Sequence, residues 1–184
     1  STYFLTIVDD CSRAVWVFLM KHKTDVHSFF MRFYAMVHNQ FNAHIKTVRC
    51  DNGTEFHCLH SFLATKGIIF QTSCVVSPQQ NGRVERKHRH LLNVVRALRF
   101  HATLPIHFWG ECVLAAAYLI NHTPSMVLGG ITPYEIIYWS APPLDRIRVL
   151  GSLCYAYNRR SKGDKFVSRG RRCVFMGYPS GKKG

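Results

Sequence analysis

Val48-Arg49-Cys50-Asp51-Asn52-Gly53-Thr54-Glu55-Phe56 carries a β-forming run straight into a carboxylate and a tight turn. Asn-Gly is a strong turn signal, because both residue types tolerate positive φ. Asp51 therefore stands at the carboxyl end of a strand that begins near Ile45. In open α/β sheets that edge is where ligands bind. Upstream, Val26, Phe29, Phe30, Phe33 and Val37 recur at helical spacing. Thr24 is the expected cap of this helix, with Asp25 in its first turn facing the positive helix end. The helix should end near Phe41-Asn42. Further back, residues 3–9 and 14–20 are rich in β-branched and aromatic residues. Asp9-Asp10-Cys11-Ser12-Arg13 supplies turn chemistry between them, so the two runs read as a hairpin.

Downstream, residues 57–66 suit a short helix with Leu59, Phe62 and Leu63 inward, stopped by Gly67. Ile68 to Cys74 reads as another strand. Ser77-Pro78-Gln79-Gln80-Asn81-Gly82 reads as a loop, and Asn81 as the cap of a long helix. Val84, Leu91, Val95, Leu98 and Ala102 form the apolar stripe of that helix. Pro105 opens a further helix through about Asn121, and Thr132 caps a short one with Pro133 at its first position. Strands alternating with helices indicate a mixed α/β sheet with helices on its faces. From about Ile147 the texture changes. Cys154-Tyr155-Ala156-Tyr157 and Cys173-Val174-Phe175-Met176 read as short strands among Gly, Ser and basic residues. Two domains are expected, a core over 1–140 and a small basic β domain over 147–184.

The composition agrees with a folded, nucleic-acid-facing protein. Apolar residues make up 47% of the 184, enough for a real core, so a disordered chain is excluded. No run of 18 apolar residues lacks a charge, so no membrane-spanning helix is expected. Lys and Arg number 24 against 10 Asp and Glu, a net +14 with a pI near 9.8. Such a bias points first to a polyanionic partner. Seven cysteines, an odd number without any Cys-x-x-Cys, mostly lie in apolar runs. Free thiols in a reducing compartment fit this better than a disulfide framework. His57-Cys58-Leu59-His60 has the look of a metal cluster but lacks a partner pair at useful spacing. Ser1 to Val8 reads as strand interior, and Gly181-Lys182-Lys183-Gly184 follows at once on strand-like residues. The chain is therefore expected to be an excerpt of something longer.

A second segment pairs with the first. In Ser77-Pro78-Gln79-Gln80-Asn81-Gly82-Arg83-Val84-Glu85-Arg86, a carboxylate sits in the first turns of a helix. The positive helix end favours its ionised form. The intervening strand and loop can return the chain to the edge that holds Asp51. Two carboxylates within ~4 Å repel by about 4 kcal/mol at an effective dielectric near 20. A divalent cation offsets that, and Mg²⁺ prefers oxygen ligands. Two such ions can activate one oxygen and stabilise another in phosphoryl transfer.

Together these segments closely resemble the core of copia-type LTR retrotransposon integrases, part of a Gag-Pol polyprotein in the retroviral-integrase-like superfamily. The resemblance continues through Pro105-Ile106-His107-Phe108-Trp109, Ala115-Ala116-Ala117-Tyr118-Leu119-Ile120-Asn121 and Thr132-Pro133-Tyr134-Glu135. Leu150-Gly151-Ser152-Leu153-Cys154 and Arg172-Cys173-Val174-Phe175-Met176-Gly177-Tyr178 resemble the small SH3-like domain that follows such cores. The resemblance implies a ribonuclease H-like fold and a polynucleotidyl transferase. Its cofactor would be Mg²⁺ or Mn²⁺ held by an Asp, Asp, Glu triad. It identifies Asp51 as the second Asp and Glu85 as the Glu, both catalytic and metal-ligating. The 33 residues between them are slightly fewer than the family shows, a shortfall placed in the loop near His57. The implied partners are element and target DNA, with a homo-oligomer as the working form, acting in the nucleus.

Asp9 and Asp10 compete for the place of the first Asp. The ribonuclease H-like fold begins with three antiparallel strands, and only two precede the helix at Thr24. The absent strand is then the first, the carrier of the first Asp. The turn at Asp9 and Asp10 is expected about a strand length, ~17 Å, from the site. The isolated fragment should therefore be inactive. On the long helix, Arg86, Arg89, Asn93 and Arg96 share a face by their spacing, with Arg83, Lys87 and Arg99 nearby. Arg83, Arg86, Lys87, Arg89 and Arg96 are the candidate phosphate contacts. Residues 158–184 hold nine Lys or Arg against Asp164 alone, either a DNA grip or an exposed tail. Trp16, Trp109 and Trp139 are expected in the core. The alternative function is a DNA-binding remnant without catalysis, or a related transposase or nuclease.

Overall fold

The computed structural model describes residues 1–72, 82–157 and 169–178. It is a mixed α/β protein of two compact units, Ser1–His90 and Leu91–Gly184. In the first unit, β1 (Tyr3–Val8) pairs antiparallel with β2 (Val15–Met20), in register from Tyr3↔Met20 to Val8↔Val15. The Asp9 carboxylate closes their turn by accepting from the Ser12 amide and hydroxyl, both at 2.7 Å. Alternation along β1 then decides its two faces. Leu5 and Ile7 point to an apolar core, while Phe4 and Thr6 meet His88, whose ring stacks on Phe4 at 5.1 Å.

A 3-10 turn over Lys23–Asp25 leads into α1 (Val26–Phe41). Thr24 is not the cap. The Asp25 carboxylate instead accepts from the Lys21 and His22 amides at 3.0 and 2.9 Å, because a tight turn brings those donors back to it. Val26, Phe30 and Phe33 are buried, and Phe29 and Val37 pack against them, as the helical spacing requires. Asn42 ends the helix in the left-handed conformation, its N–H donating to the Val37 carbonyl.

β3 (Thr47–Cys50) and β4 (Ile69–Thr72) form a parallel pair joined through a 3-10 helix, Thr54–Leu59, and α2 (His60–Thr65). Leu59 and Leu63 are fully enclosed and share one core with Leu5, Met20, Phe30, Phe33 and Ile68. On the other face of the pair the Arg49 guanidinium donates to Gln71, its register partner on β4, at 2.9 and 3.2 Å. Among the described residues no ladder joins β1 or β2 to β3 or β4.

The long helix α3 (Gly82–His101) runs from the first unit into the second. Its expected cap, Asn81, and the loop from Ser77 lie outside the described residues. In the second unit, Leu91 and Val95 are the buried positions of α3. α4 (Trp109–Asn121) buries Cys112, Val113, Ala115, Ala116, Ala117 and Ile120. α5 (Pro133–Tyr138) opens with a capping box: the Glu135 amide donates to the Thr132 hydroxyl, and the Thr132 amide and hydroxyl donate to the Glu135 carboxylate. Those two Thr132 donors hold the Glu135 carboxyl below its ordinary range. Thr132→Ala should lower stability by about 1 kcal/mol at neutral pH, read from thermal melts. A carboxylate with a depressed folded pKa stabilises the fold above the unfolded value. That share is lost as pH falls through the folded pKa, so variant and parent should converge in acid.

Trp139 is not a core residue. It is 90% exposed, set outward by a left-handed backbone at the end of α5, whereas Trp16 and Trp109 are half-buried. Near the C-terminus, β5 (Leu153–Tyr157) pairs antiparallel with β6 (Gly170–Val174). The second strand lies three residues earlier than the Cys173 start expected from sequence. Phe175 leaves regular pairing to exchange hydrogen bonds with Gly151 and Ser152. Gly151 has φ +84, and a Cβ there would lie 2.6 Å from that of Ala102, so the close approach to the end of α3 requires glycine. Tyr178 stacks on Tyr118 of α4 at 3.8 Å and fastens the same segment.

Candidate active site and nucleic-acid interface

Asp51 directly follows the last residue of β3, exposed at the carboxyl edge of the parallel pair. Its Oδ1 accepts from the Gly53 amide at 3.1 Å, so the side chain itself forms the turn that Asn52-Gly53 announces. Gly53 is needed there for space. A Cβ on it would stand 2.7 Å from Glu55 Oε2 and 3.1 Å from Asp51 Oδ1. Two carboxylates thus flank one glycine. Lys23 Nζ holds the other Glu55 oxygen at 3.3 Å. The Glu55 carboxyl is held below its ordinary range, first by its own backbone N–H and then by Lys23. The Cys50 thiol is pushed up to about 11 by burial, and then by the negative charges of Asp51 and Glu55. The strand end therefore gathers two carboxylates, hard oxygen donors of the kind that Mg²⁺ or Mn²⁺ takes.

Glu85 is exposed in the first turn of α3, in the same compact unit as Asp51. Among the described residues no group of three or more His, Cys, Asp or Glu side chains gathers as a metal cage, the His57-Cys58-Leu59-His60 run included. The pairing that the geometry exhibits is Asp51 with Glu55. The signal for this pairing in the sequence is the four-residue spacing of Asp51 and Glu55 across a Gly-containing turn.

The basic residues of α3 divide into two sets. Arg86, Arg89 and Arg96 are exposed, with Arg96 donating to Asn93 at 3.0 Å along the same face. Arg83 and Lys87, one turn apart, face the β1–β2 turn instead. Arg83 Nη1 donates to the Asp10 carboxylate at 2.5 and 2.6 Å, and Lys87 is half-buried. Asp10 is therefore not a strand length from the head of α3. The ion pair draws the hairpin turn to a point two residues before Glu85. Among the described residues no helix is long and apolar enough to cross a membrane.

Residues 1–78 match the family model described as the integrase core domain, and residues 152–184 match that of the retroviral polymerase SH3-like domain. The retrovirus-related Pol polyprotein from transposon RE1 of Arabidopsis thaliana is 35% identical over 176 residues, 96% of this chain. That from transposon TNT 1-94 of Nicotiana tabacum is 33% identical over 178 residues, again 96% of this chain. The chain spans 12% and 13% of the length of these two relatives. Among solved structures, the catalytic core domain of BIV integrase has a TM-score of 0.54 at 22% identity, covering 74% of this chain and 85% of that one. The HTLV-2 integrase catalytic core domain in complex with magnesium has a TM-score of 0.53 at 22% identity, covering 71% and 80%. These two likenesses concern the fold.

Proposed function

This chain belongs to the integrase-core family of retrotransposon Pol polyproteins, and from that premise we propose that it is part of a polynucleotidyl transferase that joins element DNA ends to target DNA. The observation that carries the reading is Asp51, exposed at the carboxyl edge of the β3–β4 pair, with Glu85 opening α3 in the same unit. Asp51 and Glu85 are the residues that would hold divalent ions, and the oxygen-rich strand end suits them. When bound, such ions supply charge stabilisation and an activated oxygen for in-line phosphoryl transfer. Glu55 stays beside Asp51 but is turned toward Lys23, which orients it and tempers the local charge. Arg86, Arg89 and Arg96 present an exposed row that grips phosphates without reading sequence.

The third carboxylate belongs to a strand that lies before β1 in the parent polyprotein and fits between β1 and β3. On this view the ribonuclease H-like core spans 1–140, the SH3-like part begins near 147, and the working form is a nuclear homo-oligomer on DNA. A second reading, a DNA-binding unit without catalysis, rests on the net +14 charge and the exposed arginines of α3.

The test is paired. Mn²⁺ binding followed by electron paramagnetic resonance should be lost in Asp51→Asn and in Glu85→Gln. Salt-dependent duplex binding should stay within about twofold in both, because neither residue contacts phosphate. Unchanged Mn²⁺ binding in both variants would remove the basis of the assignment.

A further inference from the structure

We propose that Arg13, Arg83 and Lys87 form a phosphodiester-binding site whose place is taken in the free protein by the carboxylate of Asp10. The site rests on the reading of the chain as a DNA-binding protein and adds a contact that the exposed row of α3 does not contain.

Four observations converge on it. Asp10 Oδ1 accepts from Arg13 Nη1 at 3.0 Å and from Arg83 Nη1 at 2.5 Å, so one carboxylate oxygen serves two guanidinium groups. Arg13 Nε is buried and has no hydrogen-bond partner. An unsatisfied buried donor on a cation costs the fold unless something supplies an acceptor. Arg13 also holds φ +60, a left-handed conformation unusual for a residue with a side chain, so the turn is strained where it presents this group. Finally, Lys87 lies half-buried on α3, one turn beyond Arg83.

Charge counting decides what belongs there. Arg13 and Arg83 share a single carboxylate, Arg49 also feels Asp10, and Lys87 stands one turn along α3 from Arg83. Asp9 cannot help, since the Ser12 amide and hydroxyl engage it. Glu85 sits two residues from Arg83, on another side of the helix by its spacing. The cluster is therefore short of anionic oxygen. A phosphodiester offers two unesterified oxygens that guanidinium forks bind as they bind a carboxylate, so it can take the place that Asp10 holds. Asp10 is 68% exposed and Arg83 56%, so a DNA backbone can reach the pair and displace the carboxylate into water.

The experiment compares Asp10→Asn with Asp145→Asn, which removes the same charge from an exposed position of the second unit. Binding of a fluorescein-labelled random-sequence duplex to the full 184-residue chain is followed by anisotropy across a salt series. Asp10→Asn is expected to bind about three- to tenfold more tightly than Asp145→Asn. Arg13→Ala is expected to weaken binding by a similar factor and to flatten the logarithmic salt slope by about one unit. Thermal melts of each variant identify any loss that reflects unfolding. Equal affinities for the two Asp→Asn variants overturn the proposal while leaving DNA binding itself intact. Duplex binding absent from every variant overturns the functional reading instead. In that event the anion site is judged by the Arg13 Nε–H resonance of the parent chain during titration with inorganic phosphate. A shift that saturates supports the site, and an unmoved resonance rejects it.

Discussion

In the parent polyprotein, Asp51→Asn is expected to lower DNA strand joining by at least about 10³-fold. Asp51 is fixed at the strand end by its own turn, accepting the Gly53 amide, so its second oxygen and remaining lone pairs are free to face an ion. The amide of Asn keeps the turn but removes the charge with which the proposed site would hold divalent ions. Glu85→Gln should cost a comparable factor. The double variant should fall little below either single one, because groups proposed to hold the same ions would act as a unit. Joining assays with Mg²⁺ and with Mn²⁺ measure this. Additive losses would mean that the two carboxylates serve separate purposes. The 184-residue chain alone should join no DNA, and robust strand transfer by it would show that the third ligand is already present.

Leu63→Ala should cost about 3 kcal/mol, the usual loss for an enclosed leucine. Leu63 is 0% exposed on α2 and lies in one apolar cluster with Phe30, Leu59 and Ile68. Its carbonyl also receives the Ile68 amide at 2.9 Å, so the same residue sets the entry into β4. The midpoint of thermal unfolding should drop by roughly 10 °C. Leu114→Ala, at a 37% exposed position on α4, should change stability by about 0.5 kcal/mol or less. Comparable losses for the two would mean that α2 does not seal the core. The effect on the site should follow: α2 and the 3-10 helix before it anchor the segment that carries Glu55.

The local elements were legible because local chemistry dictates them. Phe30 and Phe33 fall on the buried face of α1 for the reason that their spacing matches a helical period. Thr132 and Glu135 close a capping box whose donors and acceptors are three residues apart. Where a local rule had rivals, it failed. Thr24 lost the cap to Asp25, whose carboxylate reached amides behind it. Trp139 was expected inside on size and hydrophobicity alone, yet the left-handed turn at its own backbone sends it outward.

By itself the sequence determined the alternation of strands and helices, the carboxylate after β3 and the excess of positive charge, since each depends only on residues near in the chain. Tertiary structure alone decided the partners. It joined Asp10 to Arg83 across 73 positions, set Phe4 against His88, and brought the head of α3 to the hairpin turn. Contacts between residues so far apart are selected by the packing of whole elements, and no short-range pattern encodes which charge will meet which.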